Sequence, residues 1–558
     1  VTIIATLSVS LLIALTLNPM LATLYFTKRQ QTDKVSKNIF SRLLTEIITG
    51  PYRKTIRFAL KYNWLIMSVA VFLLLLSVFL FRYIGISFFP KAEQPQFMIR
   101  ANLPPGTNLK KTERVARYIS SVLDTMPDVK RYASNIGHGN PRIYYNVFPK
   151  NYSKNFADIY VELHEYDVEK FDRLISQLRS FFGEYPGAKI NIKEFEQGVP
   201  IEAPVVLYII GSDLDDLKRI AADAERFVRE TRGTINIENH IDKVSSNLFI
   251  NIDKDRAGVY GVPVSTIDKT IRIAMNGMSV SNFRDKEGKE YDIVLRLPVE
   301  EKTSLKDFKK IYVQSLSGRM IPLGQLAEIE FRKAPSIISH YNLDRNATIT
   351  ADIRRGYTLD EVIAPVRKKL NSYNFPPGYS YYIAGEPESR KETFGGMQRA
   401  ILIAIIAIFA VLVLQFRSFF QPLIIFVAVP LAIIGSVFAL LITGYTFSFT
   451  AFIGLISLVG IVVNNSIILV EYTNQLLSKG KTAREALMEA GETRFTPIIL
   501  TTLTTIGGLL PLTLQGGTLW APMGWTIIGG LLVSTFLTLV VIPVLYHVVY
   551  RIKHENNT

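Results

Sequence analysis

The sequence predicts an α-helical membrane bundle of seven transmembrane helices plus an α+β region outside the membrane. Three observations predict it. Seven apolar runs are each long enough to cross a bilayer. Lys and Arg crowd alternate loops between those runs. One loop, between the second and third runs, is about 300 residues long and reads as a folded region.

Composition agrees. Of the 558 residues, 48% are hydrophobic and 20% charged, and the mean hydropathy is +0.21. That balance is too apolar for an ordinary soluble protein and too charged for a bare bundle. Cysteine is absent, which excludes disulfides, thiolate metal sites and a cysteine nucleophile. The six histidines are scattered without metal-ligand spacing. The net charge of +15 admits nucleic-acid binding, but the charges sit where a membrane protein keeps its cytoplasmic lysines and arginines. No nucleotide-binding phosphate loop, nucleophile elbow or zinc-protease motif occurs, so neither an enzyme nor a cofactor is expected.

The runs lie at roughly 2–26, 63–86, 398–416, 419–443, 447–472, 494–514 and 524–549. After the first come Lys28, Arg29, Lys34, Lys37, Arg42, Arg53, Lys54, Arg57 and Lys61, against only Asp33 and Glu46. That loop is expected in the cytoplasm. Alternation then places Arg417 inside, with Lys479, Lys481, Arg484 and Arg494, and the tail residues Arg551 and Lys553. The loops at 444–446 and 515–523 fall outside and carry no Lys or Arg. The segment 87–395 is therefore extracytoplasmic. Within the first loop, 38–60 reads as an amphipathic helix along the cytoplasmic membrane face. Its apolar residues are Ile39, Phe40, Leu43, Leu44, Ile47, Ile48, Tyr52, Ile56 and Phe58. A solvated connector is the plainer alternative.

The first and last runs each end in one proline, Pro19 and Pro543, ahead of a basic cytoplasmic exit. Both run from outside to inside, the direction a parallel repeat requires. Val1 already lies in an apolar run, so the chain is expected to be the C-terminal part of a protein about twice this length.

Outside the membrane, short strands alternate with helices. Phe97–Leu103, Asp158–Leu163 and Lys189–Lys193 read as extended, with helices over Leu109–Met126 and Val168–Phe182. A second cycle has strands Val205–Ile210, Thr348–Ile353 and Tyr379–Ala384, with helices over Leu214–Arg232 and Leu359–Ser372. Split βαβ units of this kind build ferredoxin-like layers. Between the halves of the second cycle, 234–335 reads as a nested domain with Asp255–Asn276 helical. The loop Gly137–Tyr152 gathers Arg142, Tyr144, Tyr145, Phe148 and Tyr152. Those rings either line a path for amphipathic substrates or pack on their own domain.

Several motifs then resemble one family. They are Phe89-Pro90 through Gln94, Leu103-Pro104-Pro105-Gly106 before a helix, and Gly385-Glu386 with Thr393-Phe394-Gly395-Gly396. Gln415-Phe416-Arg417-Ser418 with Pro422, the stretch Gly460–Tyr472, and Glu485-Ala486 through Arg494 into Pro497–Thr501 complete the set. Together they resemble the resistance–nodulation–division (RND) exporters of the hydrophobe and amphiphile type. The resemblance implies a proton-driven permease of the bacterial inner membrane, with two repeats of six helices and a large periplasmic insertion in each. It implies a homotrimer, a periplasmic adaptor and an outer-membrane channel as partners. Residues 1–27 then look like the last helix of a first repeat, 28–62 a cytoplasmic linker, 63–86 a span, and 396–550 five spans before a tail at 551–558. By the same resemblance, 87–196 is one porter subdomain, 197–233 with 336–395 a second, and 234–335 a docking subdomain.

Ionisable groups inside a bilayer are costly and usually functional. None sits at mid-membrane in these runs. Asn464 and Asn465 lie near the middle of the fifth run, and Thr501, Thr502, Thr504 and Thr505 cluster in the sixth. They serve either as hydrogen-bonding glue between helices or as neighbours of a proton relay. In many RND exporters a lysine stands where this chain has Asn464. The resemblance then implies a relay resting on an acid outside this chain, with Asn464, Asn465 and Thr501 beside it. Such an acid, lacking an ammonium, should titrate higher.

Three other readings compete. A secretion helper of the same superfamily has smaller insertions. A heavy-metal exporter should bring methionines together, whereas Met98, Met126, Met275, Met278 and Met320 are dispersed. A receptor without transport has no need of polar residues in neighbouring spans. The orientation is directly testable, because the chain has no cysteine of its own. A single cysteine at Lys111 should react with an impermeant maleimide from outside the cell, and one at Lys479 only after the membrane is opened. The reverse pattern overturns the assignment.

Overall fold

The structure is a computed structural model, and it describes residues 2–27, 46–241, 244–296 and 311–555. The chain divides into two compact units, one of residues 1–89 with 395–558 and one of residues 90–394. Ile39, Phe40, Leu43 and Leu44 of the expected amphipathic helix lie outside the described residues, as do Lys28 through Arg42.

The first unit opens with α1 (Thr2–Thr27), whose side chains from Ala5 to Leu24 are exposed. A π-helical turn, Ile48–Tyr52, leads into α2 (Arg53–Lys61) and α3 (Asn63–Phe81). Tyr52, Ile56, Ala59 and Leu60 form one buried stripe, so the described part of the amphipathic segment is a helix with one face packed.

In the second unit the first sheet is β1 (Gln96–Asn102), β2 (Val129–Ile136), β3 (Phe156–Leu163) and β4 (Lys189–Glu194), in spatial order β2-β3-β1-β4. All three pairings are antiparallel, and Ile99 sits between Ile159 and Ile192. Helices α4 (Leu109–Leu123) and α5 (Val168–Gly183) cover one face. Their apolar stripes, such as Val115, Ile119 and Leu123, interleave with Phe97, Ile99 and Val161. Side-chain caps from Asn108 and Asp167 start both helices. Strand β2 was not predicted: Lys130, Arg131, Ser134 and Asn135 interrupt its alternation, as suits an edge strand.

The second sheet repeats the plan with β5 (Val205–Ile210), α6 (Leu214–Arg229) and β6 (Thr234–Asn239). The nested segment pairs β7 (Val244–Ile252) with β12 (Ala327–Pro335) over α7 (Lys254–Val259), α8 (Val264–Asn276) and α9 (Leu323–Leu326). Hairpin strands β8 (Met278–Arg284) and β9 (Glu290–Leu295) pair, as do β10 (Tyr312–Gln314) and β11 (Met320–Pro322). The second sheet closes with β13 (Ser339–Tyr341), β14 (Asp344–Ile353), α10 (Leu359–Asn371) and β15 (Ser380–Gly385). Its order is β13-β14-β5-β15, with β6 also on β14.

Two expectations are corrected here. Residues 234–239 pair with β14 in the second sheet and do not belong to the nested domain. The single helix expected over Asp255–Asn276 is two helices. Gly261, at φ +64°, and Pro263 break it.

The chain returns to the first unit through α11 (Glu386–Phe416), α12 (Phe420–Phe426), α13 (Ala428–Thr443), α14 (Phe449–Ser478), α15 (Ala483–Gln515) and α16 (Gly517–Glu555). Among the described residues seven helices, taking α12 and α13 as one span, are long and apolar enough to cross a membrane. Two of them begin well before their apolar windows, at Glu386 and Ala483. Their first turns are polar, and hydropathy marks the lipid-crossing part rather than the helix. Helix α16 is the most enclosed span, with 67% of its apolar window buried.

Glycine sets how closely α16 is approached. A Cβ on Gly435 would lie 2.1 Å from the Gly529 carbonyl oxygen, and one on Gly530 2.2 Å from the Leu458 side chain. Gly454 meets the Met523 backbone oxygen at 2.9 Å. Gly460, Gly507 and Gly508 have open space where a Cβ would stand. Gly435→Leu should therefore lower the unfolding midpoint in detergent, by the upper end of an overpacking cost of about 1–3 kcal/mol. Gly507→Ala should leave it unchanged or slightly raised. Equal effects at both positions would refute backbone contact at Gly435.

Candidate functional sites: an extramembrane cleft and a cavity in the helical unit

Within the second unit a cleft of about 620 Å³ is lined from both sheets. From the first come Arg100, Asn191, Lys193 and Glu194, then Glu196 and Ile201; from the second, Asn236, Glu238, Thr350 and Asp352. The pleat explains the lining. Residues 347, 349 and 351 of β14 face the helices and are buried, so 350 and 352 face the other way.

Polar contacts bridge the two sheets. Asn191 Nδ2 donates to Glu238 Oε1 at 2.9 Å. Asn236, held at φ +51°, donates to the Ile192 carbonyl at 3.1 Å and to Asp352 Oδ2 at 2.9 Å. Glu194, 4% exposed, is met by Lys91 at 2.8 Å, Arg179 at 3.0 Å and Arg355 at 3.5 Å. Arg355 also reaches Asp172 at 3.2 Å. Burial pushes the Glu194 carboxyl up, but Lys91 and Arg179 outweigh it and hold the group below its usual range.

Glu196 has the opposite balance. Burial first, and then repulsion from Asp352, push its carboxyl up to about 7, against the pull of Lys193 and Lys91. The cleft therefore holds a half-buried acid whose surroundings favour its protonated form.

The expected aromatic loop divides. Phe148 lines the cleft and lies under the Arg142 guanidinium at 5.4 Å. Tyr144 packs inward, 4.9 Å from the Phe195 ring, in a small cluster with Ala92 and Met98. Tyr145 lies tilted against Tyr144 at 4.9 Å, and its hydroxyl accepts from the Gly198 amide. Arg142 Nε donates to the Tyr145 carbonyl at 3.1 Å. Tyr152 is 91% exposed and meets only the His138 ring. The loop thus brings Phe148 to the cleft, while Tyr144 and Tyr145 pack on their own domain. Sequence reasoning missed Glu196, Asp352, Asn236 and Arg355. Glu196 just past a strand was the one signal available, and it is ordinary in surface strands.

In the helical unit a second cavity, also about 620 Å³, is lined by Asn464 and Asn465 of α14 and by Thr501, Thr502 and Thr505 of α15. Leu7, Ile408, Ser457 and Leu531 are among the rest, and no lining residue is ionisable. The structure therefore brings Asn464, Asn465 and Thr501 together at one cavity. Asn464 is exposed to it and Asn465 is 4% exposed. Thr501 donates to the Ile498 carbonyl at 2.9 Å, and the hydroxyls of Thr502 and Thr535 bond each other at 2.9 Å. The hydroxyls thus spend their protons on backbone or on each other, and the two side-chain amides are the groups left to meet a guest.

Among the described residues no group of three or more His, Asp or Glu is placed to hold a metal ion. Met98 is buried, Met126 packs against the first core, and Met320 is exposed.

Among the described residues, seven helices long and apolar enough to cross a membrane, with a two-sheet domain inserted between the second and third in the chain, define a polytopic membrane protein. The family model described as the AcrB/AcrD/AcrF family matches residues 1–550, and the chain belongs to that family of RND transporters. These are transporters and not enzymes. It is a multi-pass inner-membrane protein with a large extramembrane domain. The swarming motility protein SwrC of Bacillus subtilis (strain 168) is 28% identical over 568 residues, covering 99% of this chain and 52% of SwrC. Two crystal forms of a heavy metal efflux pump share the fold, each at TM-score 0.74 and 21% identity. The matches cover 90% and 91% of this chain and 52% of the pump. The chain spans about half the length of the relatives it matches.

Glu196 yields a pH prediction. Its folded pKa is raised above the ordinary 4.5, so the stability it contributes is present below that value and is lost as pH rises through about 7. The unfolding midpoint of the chain, relative to that of Glu196→Gln, should fall between those limits and level off above them. A difference that is flat with pH would show that Glu196 is not perturbed.

Proposed function

We propose that the chain serves RND export in which hydrophobic or amphipathic molecules are carried outward at the expense of a proton gradient. The observation that carries this reading is the lining of the cleft. Phe148, Val199 and Ile201 offer apolar surface beside Glu196, Glu202 and Asp352, and no methionine or cysteine is among the lining residues. An amphiphile needs that mixture of surfaces. The two layers work as porter subdomains, the nested segment as a docking subdomain, and the assembly as a homotrimer with a periplasmic adaptor and an outer-membrane channel.

Asn464, Asn465 and Thr501 act as hydrogen-bonding neighbours of an acid supplied by a helix outside this chain. With no ammonium in the cavity, that acid keeps its proton to higher pH.

A second reading is export of heavy-metal ions. The solved structures that share this fold are of a heavy metal efflux pump, and the comparisons lean to this cargo over amphiphiles. At 21% identity they bear on the fold alone. The dispersed methionines and the absence of a metal-holding cluster among the described residues favour the first reading.

Export assays in cells lacking other exporters separate the two. Amphiphile export predicts resistance to detergent-like cations and dyes, and metal export predicts resistance to copper or silver ions only. Asn465→Ala with Thr501→Ala should slow proton-coupled export at least tenfold while leaving substrate binding intact. Unchanged export would remove those residues from the relay.

A further inference from the structure

We propose that the outward face of α2 is a binding site for an anionic glycerophospholipid of the cytoplasmic leaflet, which it holds by the headgroup phosphate. The inference does not depend on which cargo the transporter carries. It starts from the two faces of a nine-residue helix, Arg53–Lys61.

The inner face is locked. Tyr52 lies 4.8 Å from the Phe495 ring and donates its hydroxyl to the Leu539 carbonyl at 3.2 Å. Gly491 makes room for that ring, since a Cβ there would meet the Tyr52 hydroxyl at 2.2 Å. Arg53 closes the seam by pairing with Glu492 at 2.5 Å. The helix is thereby fixed against α15 and α16 and cannot turn its other face away.

That other face carries Lys54, Arg57, Phe58 and Lys61, a spacing of i, i+3, i+4 and i+7 that makes one stripe. All four are exposed. Arg53 is the basic residue of this helix that finds a carboxylate; among the described residues Lys54, Arg57 and Lys61 form no ion pair. Aromatic rings extend the stripe. Phe58 lies 4.9 Å from Tyr62, the Lys61 ammonium sits 5.2 Å from the Tyr62 ring centroid, and Trp64 is 75% exposed.

Depth follows from the next element. Trp64 is the second residue of the span Asn63–Phe81, whose mean hydropathy is 2.8. Exposed Trp and Tyr at the end of a span belong at headgroup level. At Tyr62 the backbone leaves the helical region, so α2 does not continue along the span. Three cations that form no ion pair among the described residues therefore stand at the level of lipid phosphates on a preformed surface. The basic loop puts this end in the cytoplasm, where the leaflet surface is negative. Each such cation near an anionic surface strengthens binding roughly fivefold, and three together about a hundredfold.

The test is native mass spectrometry of the full chain in neutral detergent, titrated with dioleoyl phosphatidylglycerol or dioleoyl phosphatidylcholine. Wild type should bind phosphatidylglycerol about a hundredfold more tightly than the K54Q/R57Q/K61Q variant. Phosphatidylcholine should bind both weakly and alike, and Trp64→Phe should keep the preference. The three side chains are exposed and unpaired, so an unchanged melting curve for the variant in the same detergent is expected and checks its fold. Millimolar inorganic phosphate should fail to displace the lipid. Equal phosphatidylglycerol binding by wild type and variant overturns the proposal. So does equal binding of the two lipids by wild type. Displacement by inorganic phosphate would reassign the site to the free anion and overturn the lipid assignment.

Discussion

The helical unit depends on how near other backbones can come to α16. In hydrocarbon there is no hydrophobic gain from bringing helices together, so packing and backbone proximity must supply the attraction. Gly435 meets Gly529, Gly454 meets Met523, and Gly530 receives the Leu458 side chain. Thr502 and Thr535 add a hydroxyl pair between α15 and α16. Ser436 of α13 donates to the Thr526 carbonyl at 2.9 Å. These contacts hold α13, α14 and α15 around one axis, and that arrangement places Asn465 and Thr501 on one cavity. The cavity is a consequence of the packing; its polarity comes from residues that the packing leaves unused.

The extramembrane unit solves a different problem in a similar way. Each sheet has a dry core of its own, Phe97 and Ile159 in one, Leu207 and Ile349 in the other. Between the sheets the contacts are polar and charged. Arg355 reaches across to Glu194 and Asp172, and Asn236 to Ile192 and Asp352. A seam of hydrogen bonds and ion pairs can exchange one polar partner for another or for water, whereas a dry core has no such alternative partners. That is the physical basis for the proposal that the cleft, and not either core, handles cargo.

Much of this was legible from sequence because membranes impose strong rules. Seven apolar runs and the placement of Lys and Arg mark spans and sidedness without any tertiary information. Of the expected amphipathic stripe, Tyr52 and Ile56 are buried, whereas Phe58 is exposed on the opposite face and Leu60, not assigned to the stripe, is buried in its place. Less was legible where elements are short and exposed. Edge strand β2 hid behind its charges, and β6 was assigned to the wrong domain because strand pairing is not local. Gly507 and Gly454 look alike in sequence, yet only Gly454 touches a neighbouring backbone. Of the aromatic loop, the chain order alone could not tell Phe148, which reaches the cleft, from Tyr144, which turns inward.

Sequence by itself determined the long apolar runs, the two βαβ cycles and the family motifs, and it set the expected orientation. All of these follow from local periodicity and from the energetics of charge and backbone in lipid, which act residue by residue. Tertiary structure alone decided that Glu196 faces Asp352, that Glu194 gathers cations from both layers, and that α14 and α15 bring Asn464, Asn465 and Thr501 to one cavity. Those relations join residues distant in the chain. Their energies depend on separation and burial, which exist only once the elements have packed.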